Sequence, residues 1–184
     1  MALTLIKETG AGLVDANSYA SVDDGDAYFE GHLYATAWAG ASDDQKSVSL
    51  VMATRLIDAE IQFNGTKTNA MQGLQWPRAK CPDPDANDIP LSVLVQIPSD
   101  YVPYDSVPKA VVQATCEMAR ELLIADRTIA PPGEGLKYYN DGGKQTGYDK
   151  TDKPAVLSQI ALVMLAKYGS QISAKSGTVR LVRC

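Results

Sequence analysis

The sequence predicts a mainly α protein: a small four-helix core with long irregular arms and short terminal β segments. Three observations lead there. Four stretches carry apolar residues at helical spacing behind a cap or a first-turn proline, two long proline- and glycine-rich stretches have no period, and alternation is confined to the chain ends. With 184 residues, 45% hydrophobic and 21% charged, the chain has ordinary globular usage and the length of a single domain. That domain spans 1–184, with its helical core at about 21–62 and 106–169, an arm at 64–106, a loop at 130–153 and an extension at 170–184.

The first helix starts after Ser21, whose hydroxyl can cap free amides while Asp24 stands three residues on, and Val22, Phe29 and Leu33 share a face. Gly25 and Gly31 weaken it. A second capping box, Ser42 with Gln45, opens a helix to about Ile61 whose apolar stripe is Val48, Val51, Met52, Leu56 and Ala59. The third runs from near Ser106 to about Asp126, with Pro108 in its first turn. Two stripes, Val111 to Ala125 and Val112 to Leu123, leave only Lys109, Gln113, Glu117, Arg120 and Glu121 polar, which marks it as the central helix. Pro154 opens the fourth, carrying Leu157, Ile160, Ala161, Met164, Leu165 and Tyr168 and closing at Gly169 as a left-handed cap. Short strands are expected at Leu3–Lys7 and Thr178–Val182. Between the second and third helices, Asn64–Ser106 holds six of the ten prolines, so it reads as an arm. Ala130–Lys153 reads as a second irregular stretch.

The net charge of −5 disfavours a chain devoted to coating nucleic acid, because phosphate binding needs clustered Lys and Arg. The charges are unevenly placed: Asp15–Glu30 is purely acidic, and the last residues, with Lys175, Arg180 and Arg183, are purely basic. Such asymmetry suits subunits meeting through opposite ends. Cys81, Cys116 and Cys184 are too sparse for a disulfide framework or a zinc site, so reduced thiols in a cytoplasm are expected. The start MALTLIKETG lacks a cationic leader, and no apolar run approaches the ~18 residues of a membrane span. The Asn64–Thr66 sequon is accordingly read as meaningless.

Chemical motifs fail at decisive positions. Asp83, Asp85 and Asn87 alternate like a calcium loop, but Asp88 stands where the turn needs Gly and Leu94 where a bidentate Glu should close the site. Gly142–Thr146, GGKQT, has Gln145 in place of the magnesium-binding Ser or Thr of a phosphate loop. His32 is the one histidine, with no nucleophile elbow for it to serve. No catalytic activity, cofactor or metal is expected. The aromatics Trp76, Tyr101, Tyr104, Tyr138 and Tyr139 could stack on bases, yet few cations surround them. Trp76 in GLQWPRAKC is better read as an anchor that pins a loop onto its own core or onto a neighbour.

Four stretches, ANSYASVDDGDAYF (Ala16–Phe29), QKSVSLVMATRLID (Gln45–Asp58), LQWPR (Leu74–Arg78) and VPKAVVQATCEMA (Val107–Ala119), resemble in order and spacing a family of small proteins from tailed bacteriophages and prophages. That family is described as DnaT-like single-stranded DNA-binding, and its helical pattern is similar to the head-to-tail connector, adaptor or head-completion proteins. Taken as a connector, the resemblance implies a ring of identical copies, twelve in number, in the neck of the virion. The ring would sit between the portal protein and a tail or tail-completion protein, assembled in the host cytoplasm, with DNA passing through the lumen unread and no membrane involved. The interface candidates in that light are Trp76, Pro77, Arg78, Tyr101, Tyr104, Arg180 and Arg183. The alternative function is single-stranded DNA binding.

Overall fold

The computed structural model describes residues 3–86, 100–129, 138–141, 144–147 and 155–172. In chain order the elements are α1 (Val22–Phe29), α2 (Thr36–Ala39), α3 (Asp43–Glu60), β1 (Ile61–Phe63), β2 (Thr66–Lys67), β3 (Arg78–Ala79), α4 (Lys109–Ile124), β4 (Tyr138–Asp141), β5 (Lys144–Gly147), α5 (Gln159–Leu165) and β6 (Gly169–Gln171). The fold is mainly α with small two-stranded sheets β1–β6, β2–β3 and β4–β5, all antiparallel. No helix among the described residues is long and apolar enough to cross a membrane.

Both capping boxes form. Ser21 accepts the Asp24 amide while the Asp24 carboxylate takes the Ser21 amide, and Ser42 and Gln45 do the same for α3. Pro108, which has no amide hydrogen to lose, is the N-cap of α4. α4 is the hub: it packs against α1, α2, α3 and α5, and Val111, Ala114, Met118 and Ala119 are fully buried. Each large side chain so buried contributes about 1.5–3 kcal/mol of transfer free energy.

Several expectations are corrected. The buried face of α3 is Leu50, Val51, Ala53, Thr54 and Ile57; of the expected stripe Val51 is buried, Met52 and Leu56 are half-buried, and Val48 and Ala59 are exposed. Val48 is 52% exposed, because apolar residues on two sides of one helix leave periodicity unable to choose the side. Glu117, expected on the polar strip of α4, is buried. α1 ends at Phe29, so Leu33 and His32 lie beyond it, and α2 adds a helix that a run of four residues is too short to signal. The last helix begins after Ser158, whose hydroxyl accepts the Ala161 amide, and Gly169 opens β6 opposite Phe63 instead of capping in the left-handed region. Leu3–Lys7 makes only a bridge, Lys7 to Ser18, and Thr178–Val182 lies outside the described residues.

The arm is the largest correction. Its described parts are folded onto the body: Thr66 and Lys67 pair with Ala79 and Arg78, Val102 donates to the Cys81 carbonyl, and Leu74, Trp76 and Cys81 belong to the core. The second irregular stretch contains the β4–β5 hairpin.

Gly25 shows what the helices give up for packing. A Cβ there would stand 2.3 Å from the Trp38 ring, and Trp38 is fixed by its indole N–H donating to Asp26 at 2.7 Å and by Lys46 above the ring. Replacing Gly with Ala in a helix returns about 1 kcal/mol of propensity, but overpacking a fixed indole costs more, about 1–3 kcal/mol. Gly25→Ala is therefore expected to lower the denaturation midpoint with an unchanged slope in urea unfolding followed by circular dichroism.

Candidate functional site

Three of the quoted stretches meet at one buried point. Tyr19, from N-S-Y, is fully buried, and its hydroxyl donates to the Asp58 carboxylate at the end of A-T-R-L-I-D. The same hydroxyl accepts the amides of Gln75 (3.1 Å) and Trp76 (3.2 Å), and the second Asp58 oxygen accepts the Gln75 amide at 3.1 Å. Tyr19 is seated from below by its own amide donating to Thr54, whose hydroxyl donates to the Leu50 carbonyl. A loop entering the core must find partners for its amides, and this node supplies them to the L-Q-W-P-R segment.

Arg78 completes the clamp. Its guanidinium donates to the carbonyls of Asn64 (2.7 Å), Gly65 (2.7 Å) and Gln75 (3.1 Å) and to the Gln75 side chain. Gln72 works the same way from the other side, donating to the carbonyls of Leu74 and Pro77 and accepting from Thr68 and Asn69. The Trp76–Pro77 peptide is cis, and the indole packs edge-on against Phe63 at 5.7 Å and Tyr168 at 6.1 Å. Its N–H has no acceptor among the described residues.

Burial raises the Asp58 carboxyl to about 6, against the lowering effect of the Tyr19 hydroxyl, the Gln75 amide, Lys67 and Arg78. Burial and then the Asp58 charge hold the Tyr19 phenol well above its usual range. Burial also pushes the Cys116 thiol up to about 12 and raises the Cys81 thiol, which keeps both as protonated core residues.

A second buried polar group lies across α4. Glu117 accepts from the Tyr28 hydroxyl at 2.9 Å and pairs with Arg120 at 3.2 Å, with His32 Nε2 at 3.4 Å. Near the start of the chain, Glu8 accepts the amides of Gly10, Gly12 and Leu13 and closes a glycine loop. Gly10 and Gly12 sit at φ +103° and +69°, which favours glycine.

The interface candidates separate accordingly. Trp76, Pro77 and Arg78 are buried within their own chain, so the reading of Trp76 as an anchor onto a neighbour gives way to an anchor onto its own core. Tyr101 and Tyr104 are 47% and 67% exposed, and Arg180 and Arg183 lie outside the described residues. Asp83 accepts the Asp85 amide in a local turn, Asn87, Asp88 and Leu94 are not described, and no metal-binding group of acidic, His and Cys side chains occurs among the described residues. Tyr19, Asp58, Gln72 and Glu8 carry no individual signal in the sequence, and Glu117 reads there only as part of the polar strip of α4. For the first two, the signal was their place in stretches quoted only as resemblance.

A mainly helical fold whose sequence motifs close on an internal polar node is thereby defined. The chain belongs to the family described as "Putative DnaT-like ssDNA binding protein", whose model matches residues 3–183. No curated protein and no solved structure matches it.

Two outcomes follow for the node. Tyr19→Phe leaves the Trp76 amide without an acceptor and the Gln75 amide with Asp58 alone, and should cost about 1–3 kcal/mol in chemical denaturation. An Asp58 carboxyl raised from 3.8 to about 6 favours the folded state while protonated, so its contribution is complete below pH 3.8 and fades as pH rises through about 6. Plotted against pH, the stability difference between wild type and Asp58→Asn should therefore fall across that window and level off above it. Asp24, whose desolvation is outweighed by Lys7 and the Ser21 hydrogen bonds together, and Asp26, held low chiefly by Lys46, both sit below the usual range, slope the other way and cancel in the difference.

Proposed function

We propose that this chain is a head-to-tail connector of a tailed phage, forming a ring of identical copies between portal and tail through which DNA passes unread. The observation that carries the reading is the pair Leu33 and Tyr34, 82% and 72% exposed, on a turn braced from behind. The Tyr34 amide donates to His32 Nδ1, Arg120 donates to the Tyr34 carbonyl, and the His32 ring packs on Phe29. Two adjacent large apolar side chains held outward in a fixed frame lose little entropy when a partner covers them. Tyr104, on a separate element, offers a second and different contact. A closed ring of identical copies requires two such dissimilar faces.

The charge arrangement supports the same reading. Lys7, Lys46, Arg120 and Arg127 are held by carboxylates of their own chain, and Arg78 by carbonyls. Those five cations are thereby withdrawn from counterion release by phosphate. The second reading, single-stranded DNA binding, is favoured by the family's description and would use exposed Tyr101 and Tyr104 as stacking platforms.

Electron microscopy of the purified chain, alone and with portal protein, tests the assignment. Rings are expected, lost in the Leu33→Ser/Tyr34→Ser double variant while its helical circular dichroism is unchanged. Fluorescence anisotropy with a labelled oligothymidine should show weak binding. Tight binding that weakens steeply with salt, without rings, would replace the connector by the DNA-binding reading.

A further inference from the structure

We propose that His32 is a proton-operated latch on the turn carrying Leu33 and Tyr34: the neutral ring holds the turn closed, and a proton on Nδ1 opens it. The His32 side chain is 23% exposed, so solvent protons reach it. Both ring nitrogens are committed. Nδ1 accepts the Tyr34 amide at 3.1 Å, and Nε2 stands 3.4 Å from Glu117 Oε1.

Those two contacts fix the tautomer. A ring nitrogen that accepts a hydrogen bond carries no hydrogen, so the single hydrogen of the neutral imidazole is on Nε2, facing the carboxylate. A second proton has only Nδ1 to go to. There it would set one N–H against the N–H of Tyr34 with no acceptor between them, so the imidazolium and the Tyr34 bond exclude one another. The open turn binds one more proton than the closed turn, and acid therefore favours the open one.

The surroundings supply an anchor for the charged ring. From α4, the buried Glu117 carboxylate faces Nε2 and favours the imidazolium, while Arg120, which donates to Glu117 Oε2 at 3.2 Å and is shared with Glu121 at 2.9 Å, opposes it. From α1, the Tyr28 hydroxyl donates to the same Glu117 Oε1, and Asp26 is taken up by Lys46 and Trp38. α2 carries no titratable side chain. With the latch open, Tyr34 keeps only the 3.4 Å donation from Arg120 to its carbonyl, so a partner covering Leu33 and Tyr34 has to order the turn as well. That last consequence for assembly rests on the connector reading; the latch itself belongs to the single chain.

Nuclear magnetic resonance of the full chain, dilute and unassembled, tests the latch without any ring, so its failure and that of the connector reading are separate results. At the alkaline end of the imidazole range, about pH 8, the ring hydrogen should be found on Nε2. As the ring takes its proton, the exchange protection of the Tyr34 amide, corrected for the intrinsic effect of pH, should fall about fivefold or more with the same midpoint, while α4 amides keep theirs. His32→Asn offers an oxygen that can accept the amide two residues on but takes no proton, so the acid-dependent fall should vanish in that variant. A neutral ring with its hydrogen on Nδ1, a Tyr34 amide unmoved by the His32 titration, a ring protonated only on global unfolding, or the same fall persisting in His32→Asn would each overturn the proposal.

Discussion

The fold depends on one phenolic oxygen. Tyr19 brings together the loop before α1, the end of α3 and the segment that enters the core after β2, and it does so by satisfying backbone amides that burial would otherwise leave without partners. Remove that oxygen and the entry of Trp76 into the core leaves its own amide an orphan. With it present, a stretch lacking any regular period becomes as fixed as the helices. The Arg78 and Gln72 side chains extend the same solution, donating mainly to carbonyls where Tyr19 and Asp58 accept from amides.

The helices were legible because their signals are local. Two capping boxes and a first-turn proline set the starts of α1, α3 and α4 to within a few residues. What was not legible was which side of α3 faces inward. Leu50 and Ile57 compete with Val48, Met52 and Leu56 at the same period, and only the neighbouring α4 decides. Residues 64–86 misled for a different reason. Their backbone partners are side chains from Tyr19 and Asp58, far away in sequence, so proline content suggested an arm where long-range hydrogen bonds had built a wall of the core.

The candidate site was legible in part. W-P-R was the right place to look and Trp76 is a true anchor, but onto Phe63 and Tyr168 of its own chain. Buried carboxylates were the blind spot: Glu117 reads as part of a polar strip and Glu8 carries no signal, because their partners, Tyr28 with Arg120 in one case and loop amides in the other, have no pattern in the sequence. Family membership follows from residues that organise the interior, and the surface on which a partner would act is a separate property of the chain.

The grip of Arg78 has an evolutionary corollary. Three of its acceptors are main-chain oxygens, at Asn64, Gly65 and Gln75, and every residue type supplies such an oxygen. Side chains at position 64 can therefore drift among descendants with the guanidinium holding the same contour of backbone, whereas a lysine, having a point charge in place of a fork, could not span those acceptors at once. Divergent copies should share the arginine while differing around it.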